Sequence, residues 1–251
     1  MDIQQHMWTS CLTTDEAVAM YDKVGFVMLD SGLTDEVLDG LERDMLNSSA
    51  KSYRGGNRYC NNDHLNIRLD SYWALLTHSL SFDHPLYAFL KAKFGDGWFL
   101  DSTLGGDVVL PGAGHSRATL AHSDWSTEAG SPHESMLAIS CCVRNITKEM
   151  GPMELLVDDK TWVGPELCRG QLLLRNVDVI HRGRPNVSTI PRCLPAFRVF
   201  LPTALRKGYR PFQFLPANKL EEFPSPMREH SEFLLKVDDD AAMSASDASS
   251  Q

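Results

Sequence analysis

The chain has 251 residues, of which 43% are hydrophobic and 23% are charged, so it can bury one sizeable core. It carries 24 Lys and Arg residues against 33 Asp and Glu residues. This acidic balance provides no positive field for phosphate backbones, so we do not expect nucleic acid as a partner. No apolar run approaches the length of a membrane span, so we do not expect a membrane partner either.

The first residues and the cysteines both indicate a cytoplasmic protein. Residues 1–10 contain neither Lys nor Arg and no apolar stretch, which predicts neither a secretory signal nor a transit peptide. The six cysteines form no CxxC pair, and a disulfide between the vicinal Cys141 and Cys142 would be strained. We therefore expect reduced thiols.

The first part of the chain is predicted to be mainly helical. Thr13 with Glu16 forms a capping box that opens a helix, and Gly25 ends it. The following patterns predict, in order, a buried strand, an amphipathic helix, a basic loop and a second capped helix: 26–29, from Thr34, 51–64, and Pro85 to Gly95.

From Trp98 onward, short runs rich in Val, Ile, Leu and Phe alternate with Gly, Pro, Asp and Asn. Short strands at this spacing, without helical patterns between them, predict a sandwich or jelly roll rather than a parallel sheet. The candidate strands are 98–103, 106–110, 117–122, 135–143, 153–157, 171–175, 177–181 and 196–201. We expect one domain over 1–236, with a helical part over about 1–97, a β core over about 98–205 and a disordered acidic tail over 237–251.

One pair of side chains in this β region has the spacing of metal ligands. His122 and Asp124 lie two residues apart at the end of a candidate strand, so the strand period of two puts both on one face. His181 ends another candidate strand, just before a Gly/Pro loop, and is the candidate third ligand. Two histidines and one carboxylate leave open positions of the kind that Fe(II) oxygenases use. Structural zinc is less compatible, because it prefers a closed shell that usually includes Cys.

Two arginines are candidates for binding an organic carboxylate. Arg192 follows His181 by eleven residues, early on the strand that would return across the barrel. Its planar guanidinium can bind a carboxylate through two parallel hydrogen bonds, which a Lys cannot do. Arg198 is the competitor, because it alternates with Phe197 and Val199 and can face the barrel interior. A substrate contact or a buried ion pair is the other reading of Arg198.

These residues carry a resemblance that covers the chain up to about residue 205. The chain resembles the phytanoyl-CoA dioxygenase family of Fe(II)/2-oxoglutarate oxygenases in four segments: LTTDEAVAMYDKVGFVML, HSD at 122–124, TKEMGPMELLVDDK at 147–160 and GQLLLRNVDVIHRGRPNVSTIPR. It departs from that family at 158–160, where DDK replaces a common GSH, and at Gly183, where some relatives have Ser.

The resemblance implies a fold, a reaction and the residues that serve it. The fold is a mainly β, cupin-like double-stranded β-helix (jelly roll) with N-terminal helices packed on one sheet. Fe(II) is held by His122, Asp124 and His181, while Arg192 binds the co-substrate 2-oxoglutarate. The enzyme would use O₂ to oxidise a C–H bond of a small molecule and release succinate and CO₂, with ascorbate sustaining its activity. Asp124 favours hydroxylation, because halogenating relatives lack this carboxylate.

Two other functions stay open from the sequence. One is a catalytically silent jelly-roll binding module, which the intact ligand set argues against. The other is a cupin-like metalloenzyme that uses O₂ without 2-oxoglutarate. In each case we expect a small-molecule ligand and a monomer or homodimer.

Overall fold

The computed structural model of the protein describes residues 13–54, 59–61, 70–101, 105–114, 120–124, 136–158, 160–201, 228 and 230, with the backbone alone for 51–54, 59–61 and 70. The helices are α1 (Thr14–Val24), α2 (Asp35–Arg54), α3 (Asp70–Ser79) and α4 (Pro85–Phe94), with a 3-10 helix at Lys148–Met150. The strands are β1 (Phe26–Asp30), β2 (Tyr59–Asn61), β3 (Phe99–Leu100), β4 (Gly105–Val109), β5 (Met136–Cys141), β6 (Met153–Leu156), β7 (Trp162–Val163), β8 (Gln171–Asn176), β9 (His181–Gly183) and β10 (Arg192–Phe200). The predicted tail lies outside the described residues.

The ends of helices α1 and α4 confirm the predictions from their capping residues. The Thr13 hydroxyl accepts a hydrogen bond from the Glu16 backbone N–H, and the Glu16 carboxylate accepts from the Thr13 backbone. Gly25 ends α1 in the left-handed region at φ 80°, where a residue without a Cβ is unstrained. Pro85 occupies the first turn of α4, and Gly95 ends that helix.

The interval between α2 and α4 differs from its prediction. The expected loop over 51–64 is partly wrong, because α2 continues to Arg54 and strand β2 occupies Tyr59–Asn61. Extending an existing helix by one turn adds a hydrogen bond per residue without a new nucleation cost, so weak periodicity suffices there. Helix α3 has no counterpart in the sequence prediction.

The strands form two antiparallel sheets. The major sheet has the order β1-β8-β5-β10-β4-β2, with β3 also paired to β10, and the minor sheet has the order β7-β6-β9. The neighbours are distant in sequence, as in β1 against β8 and β5 against β10. This connectivity is that of a jelly roll rather than of a series of hairpins.

The two faces of the major sheet are covered differently. On one face, side chains of all four helices pack against alternate strand residues in one continuous core, which includes Tyr21, Leu41, Leu75, Phe89, Val27, Leu137, Leu174 and Val199. On the opposite face a second core joins the major sheet to the minor sheet and includes Met28, Leu173, Leu194, Leu155 and Val163. The predicted fold class is therefore confirmed: a mainly β, cupin-like double-stranded β-helix with N-terminal helices packed on one sheet.

The predicted strand over 177–181 is wrong, because the chain turns there. The Asn176 side-chain oxygen accepts a hydrogen bond from the Asp178 N–H, and the Asn176 carbonyl accepts from the Val179 N–H. This Asx turn reverses the chain directly after β8. His181 consequently begins β9 instead of ending a strand.

Strand β10 begins at Arg192, earlier than the predicted start at residue 196. Pro195 lacks a backbone N–H and normally indicates a break in a central strand. It lies opposite Gly106, which has φ 135° and whose added Cβ would lie 2.0 Å from the Leu194 carbonyl oxygen. The missing Cβ lets the two backbones approach closely, so pairing continues through the proline.

Burial holds the thiols of the core in the protonated form. The described cysteines are free, and Cys141, Cys142 and Cys193 are buried whereas Cys168 is exposed. Burial raises the pKa of Cys141 well above its usual range and raises the pKa values of Cys142 and Cys193 to about 12. Among the described helices, none combines the length and apolar character needed to cross a membrane.

Gly151→Ala is expected to destabilise the fold. Gly151 joins the 3-10 helix to β6 with φ 69°, and an added Cβ would lie 2.3 Å from the Pro185 carbonyl oxygen. A non-glycine residue in this region costs about 1–3 kcal/mol in the free energy of unfolding, before the clash is counted. The control is Gly97→Ala, where a Cβ meets nothing within 4 Å. Equal urea midpoints for the two variants would contradict this prediction.

Candidate metal centre

A reciprocal pair of backbone hydrogen bonds brings His122 and His181 side by side. The His122 N–H donates to the His181 carbonyl at 2.9 Å, and the His181 N–H donates to the His122 carbonyl at 2.8 Å. Directly paired residues of an antiparallel bridge project their side chains to the same side. The two imidazole ring centroids are accordingly 4.4 Å apart.

Asp124 adds a carboxylate to this pair. Its backbone N–H donates to the Val177 carbonyl at 3.1 Å, which attaches the segment to the turn after β8. Asp124 Oδ1 lies 3.4 Å from His181 Nε2 and 4.0 Å from His122 Nε2. The three candidate ligands thus converge, and one ligand atom from each lies within 4.8 Å of the others.

The hydrogen bonds of both imidazoles fix which nitrogen faces the shared space. His122 Nδ1 lies 2.8 Å from the Leu120 carbonyl oxygen, and His181 Nδ1 lies 3.0 Å from the Val179 carbonyl oxygen. A carbonyl can only accept, so each Nδ1 carries the proton and donates; for His181 the carbonyl at 3.0 Å is the nearer partner, since Arg175 Nη1 lies 3.4 Å from the same nitrogen. Each Nε2 therefore presents a lone pair toward Asp124, as a metal-binding imidazole requires.

These donors fit a divalent ion of octahedral preference. Donors at right angles with bonds of about 2.1 Å lie about 3 Å apart. The observed separations of 3.4 and 4.0 Å exceed this value by little, so small side-chain rotations would close them. Two imidazoles and one carboxylate are the facial set that leaves positions open on Fe(II). No thiol lies among the described residues that line this site, which disfavours structural zinc.

Arg175 keeps the carboxylate of Asp124 charged. Arg175 is buried, and its Nη2 donates to Asp124 Oδ2 at 2.5 Å. Burial is the largest influence on Asp124 and raises its pKa, but the positive charge of Arg175 and its hydrogen bond to the carboxylate oppose burial. Their combined effect holds the pKa of Asp124 well below its usual range. The carboxylate is therefore an anion at neutral pH.

The three side chains line one end of a cavity of about 90 Å³ between the two sheets. Arg175, which pairs with Asp124, lies opposite Ala138 in the sheet register. The end of the cavity that contains Asp124 is therefore at the level of Ala138. Arg192 lies opposite Val109, whose carbonyl accepts a hydrogen bond from the Asn186 side chain. Arg192 is buried and lies on β10 six residues before Arg198, which is opposite Ala138. Arg192 therefore marks the end of the cavity that is farther from Arg175.

Sequence reasoning identified some of this cavity and missed the rest. It named His122, Asp124, His181 and Arg192, which all line the cavity, and it left open Arg198, which also does. It missed Arg175, although a charged residue inside the buried run LLLRN is a signal of an interior role. It also missed the small and polar lining residues Gly105, Asp107 and Ser140.

Neither a protein-family model nor a curated protein matches this sequence. Membership of the phytanoyl-CoA dioxygenase family thus stays a prediction.

The fold itself is shared with solved structures, two of which are named as non-heme enzymes. AviO1 from Streptomyces viridochromogenes Tue57 has a TM-score of 0.55 at 14% identity, covering 77% of this chain and 97% of its own. The apo form of ThoJ, a non-heme monooxygenase, has a TM-score of 0.58 at 14% identity and covers 74% and 77% of the two chains. SnoN, a non-heme alpha ketoglutarate dependent epimerase from nogalamycin biosynthesis, has a TM-score of 0.51 at 15% identity and covers 80% and 93%. Likeness at these identities shows a common fold.

We predict that the wild-type protein binds one Co(II) ion, a spectroscopic substitute for Fe(II), at this site. Replacing His181, His122 or Asp124 by Ala removes one of three donors and should weaken Co(II) binding by at least about a hundredfold, measured by visible absorption under anaerobic conditions. The matched control is His78→Ala, which changes an exposed histidine of α3. Unchanged affinity in His181→Ala would contradict the site.

Proposed function

We propose that the protein is an Fe(II)- and 2-oxoglutarate-dependent dioxygenase that hydroxylates or otherwise oxidises a C–H bond of a small molecule. For hydroxylation, one atom of O₂ enters the substrate and the other enters succinate, while 2-oxoglutarate loses CO₂. An iron ion bound at the site would carry out the reaction with O₂. The protein would supply binding, orientation and exclusion of water.

One observation carries this proposal: a facial donor set and a buried arginine line the same cavity. His122, Asp124 and His181 lie at one end, and Arg192, 2% exposed, lies at the other. A dicarboxylate such as 2-oxoglutarate has two ends to satisfy, and these groups match them. The 2-oxo acid end requires two adjacent open positions on a metal, and the distal carboxylate requires a fork of donors.

The remaining lining residues determine the free volume and the polarity of the cavity. Gly183 of β9 and Ala196 of β10 contribute little side-chain volume between the two ends, which leaves room for an extended dicarboxylate. Leu194, Phe197 and Met153 line the same space with apolar surface. A carboxylate held among apolar groups interacts more strongly with a guanidinium than it would in water.

The sequence and the fold support the same reaction. The four sequence segments resemble phytanoyl-CoA dioxygenases, and the fold is shared with a non-heme monooxygenase and an alpha ketoglutarate dependent epimerase. Asp124 occupies the position that halogenating relatives leave without a carboxylate, so hydroxylation is preferred. The net charge of −9 disfavours a substrate as strongly anionic as CoA, and we propose a small metabolite as the substrate.

Anaerobic addition of Fe(II) and then 2-oxoglutarate tests the proposal directly. We expect a weak visible metal-to-ligand charge-transfer band that appears only when both are present. Its absence from folded protein that binds Fe(II) would contradict 2-oxoglutarate binding and favour a silent module or another metalloenzyme. A metabolite library scored by succinate release, dependent on Fe(II) and ascorbate, then identifies the substrate.

Two arginine variants decide which guanidinium binds 2-oxoglutarate. Arg192 and Arg198 lie six residues apart on the same face of β10, about 20 Å between Cα atoms. We expect Arg192→Gln to weaken 2-oxoglutarate binding by at least about tenfold, because a charge-assisted bidentate pair is lost. Arg198→Gln should change that affinity by less than about threefold, read from the charge-transfer band. The reverse order would assign the carboxylate to Arg198.

A further inference from the structure

Arg175 occupies a position from which it can fix a metal ligand. It projects from β8, which is paired along its length with β1 on one side and β5 on the other. Its side chain is 7% exposed and lines the same cavity as the candidate ligands. Burying a charged guanidinium costs desolvation free energy, so it requires a partner of opposite charge. Asp124 is such a partner.

The contacts of Arg175 divide the two oxygens of Asp124. Nη2 of Arg175 donates to Oδ2 at 2.5 Å, whereas Oδ1 is the oxygen that faces the Nε2 atoms of His122 and His181. Nη1 donates to the Asn176 carbonyl at 3.4 Å, which directs the guanidinium. One oxygen is thus held by the sheet, and the other is left for an ion.

Asp124 has little else to fix its carboxylate. It lies outside any strand, and in the described part of the chain its segment is attached by the His122 bridge and by one hydrogen bond to the Val177 carbonyl. Rotation about its two side-chain bonds could turn either oxygen, or both, toward an ion. The hydrogen bond from Arg175 removes this freedom.

We infer that Arg175 is a positioning residue of the metal centre: it holds Oδ2 of Asp124 so that only Oδ1 binds the ion. This inference rests on the proposed function, since it requires a metal at His122, Asp124 and His181. Ligation through one oxygen leaves three of six octahedral positions free, which is the number that a 2-oxo acid and O₂ require together. Ligation through both oxygens would occupy one of them.

Positioning and charge predict opposite effects of removing Arg175. As a bare positive charge, the guanidinium repels a divalent cation and competes for the carboxylate, so its removal would tighten metal binding. As a positioning group, it orients a ligand in advance, so its removal weakens binding. Loss of such outer hydrogen bonds typically costs about 10–100-fold in metal affinity.

Arg198 provides the matched control. It also lines the cavity, and both Arg198 and Arg175 lie opposite Ala138, one on each side of β5. Arg175 forms the ion pair with Asp124. Arg198→Gln therefore removes the same charge at the same level of the sheet and shows how metal affinity responds to the loss of a positive charge there.

The experiment is an anaerobic Co(II) titration of the full chain, followed by visible absorption, for wild type, Arg175→Gln, Arg175→Lys and Arg198→Gln. We expect Arg175→Gln to bind Co(II) about 10–100-fold more weakly than wild type and to show an altered band shape, because the spectrum reports ligand number and geometry. Arg175→Lys keeps the charge and a donor, so its Co(II) affinity should lie between those of wild type and Arg175→Gln. Arg198→Gln should bind as tightly as wild type or more tightly, with the wild-type band shape.

Each other outcome has a definite meaning. If Arg175→Gln binds Co(II) as tightly as Arg198→Gln with an unchanged spectrum, the inference is overturned and the proposed function stands. If wild type binds no Co(II), the proposed function falls and takes the inference with it. If Arg175→Gln does not fold, as judged by circular dichroism, Arg175→Lys decides by the same criteria.

Discussion

The site depends on one pair of backbone hydrogen bonds, those between His122 and His181. The two residues are 59 positions apart in the sequence and belong to segments with no other direct ladder between them in the described residues. A single bridge of this kind sets both side chains on one side without a long strand, so the imidazoles meet where the major and minor sheets face each other. The Asp124 N–H bond to Val177 then adds the carboxylate to the same side. Loss of this backbone geometry would separate the donors even if every side chain were kept.

The major sheet acts as the platform for the charged groups of the cavity. Arg175, Arg192 and Arg198 all project from β8 or β10 into the space below the minor sheet, while the opposite face of the same strands is apolar and packs on the helices. Strand alternation produces this division, because neighbouring residues point to opposite faces. The helices therefore act indirectly, by packing against the strands that position three guanidinium groups.

The sequence predicts the parts of this structure that local chemistry decides. The capping box at Thr13, the glycine stop at Gly25 and the proline start at Pro85 each act within a few residues, and each is found where it was expected. The donor set was predictable for another reason: His122 and Asp124 lie two residues apart in one short segment, and His181 was recognisable from its place before a Gly/Pro loop, in agreement with the resemblance.

Features that depend on distant contacts were less accessible. The pairing of Pro195 with Gly106 requires knowledge of which strands are neighbours, and the turn after Asn176 competes with a strand pattern that looks continuous. Arg175 becomes recognisable only when register places it beside Asp124. These features depend on which segments become neighbours in the folded protein, and the periodicity of the sequence does not predict that.

The burial of the core thiols determines which cysteines oxidation can reach. Oxidation of sulfur begins with the thiolate and requires access, and the core cysteines have neither, since burial keeps Cys141, Cys142 and Cys193 protonated. Cys168 is the exposed thiol among the described cysteines. Peroxide that reaches this protein would thus modify sulfur at the surface first, leaving the packing of the core unchanged.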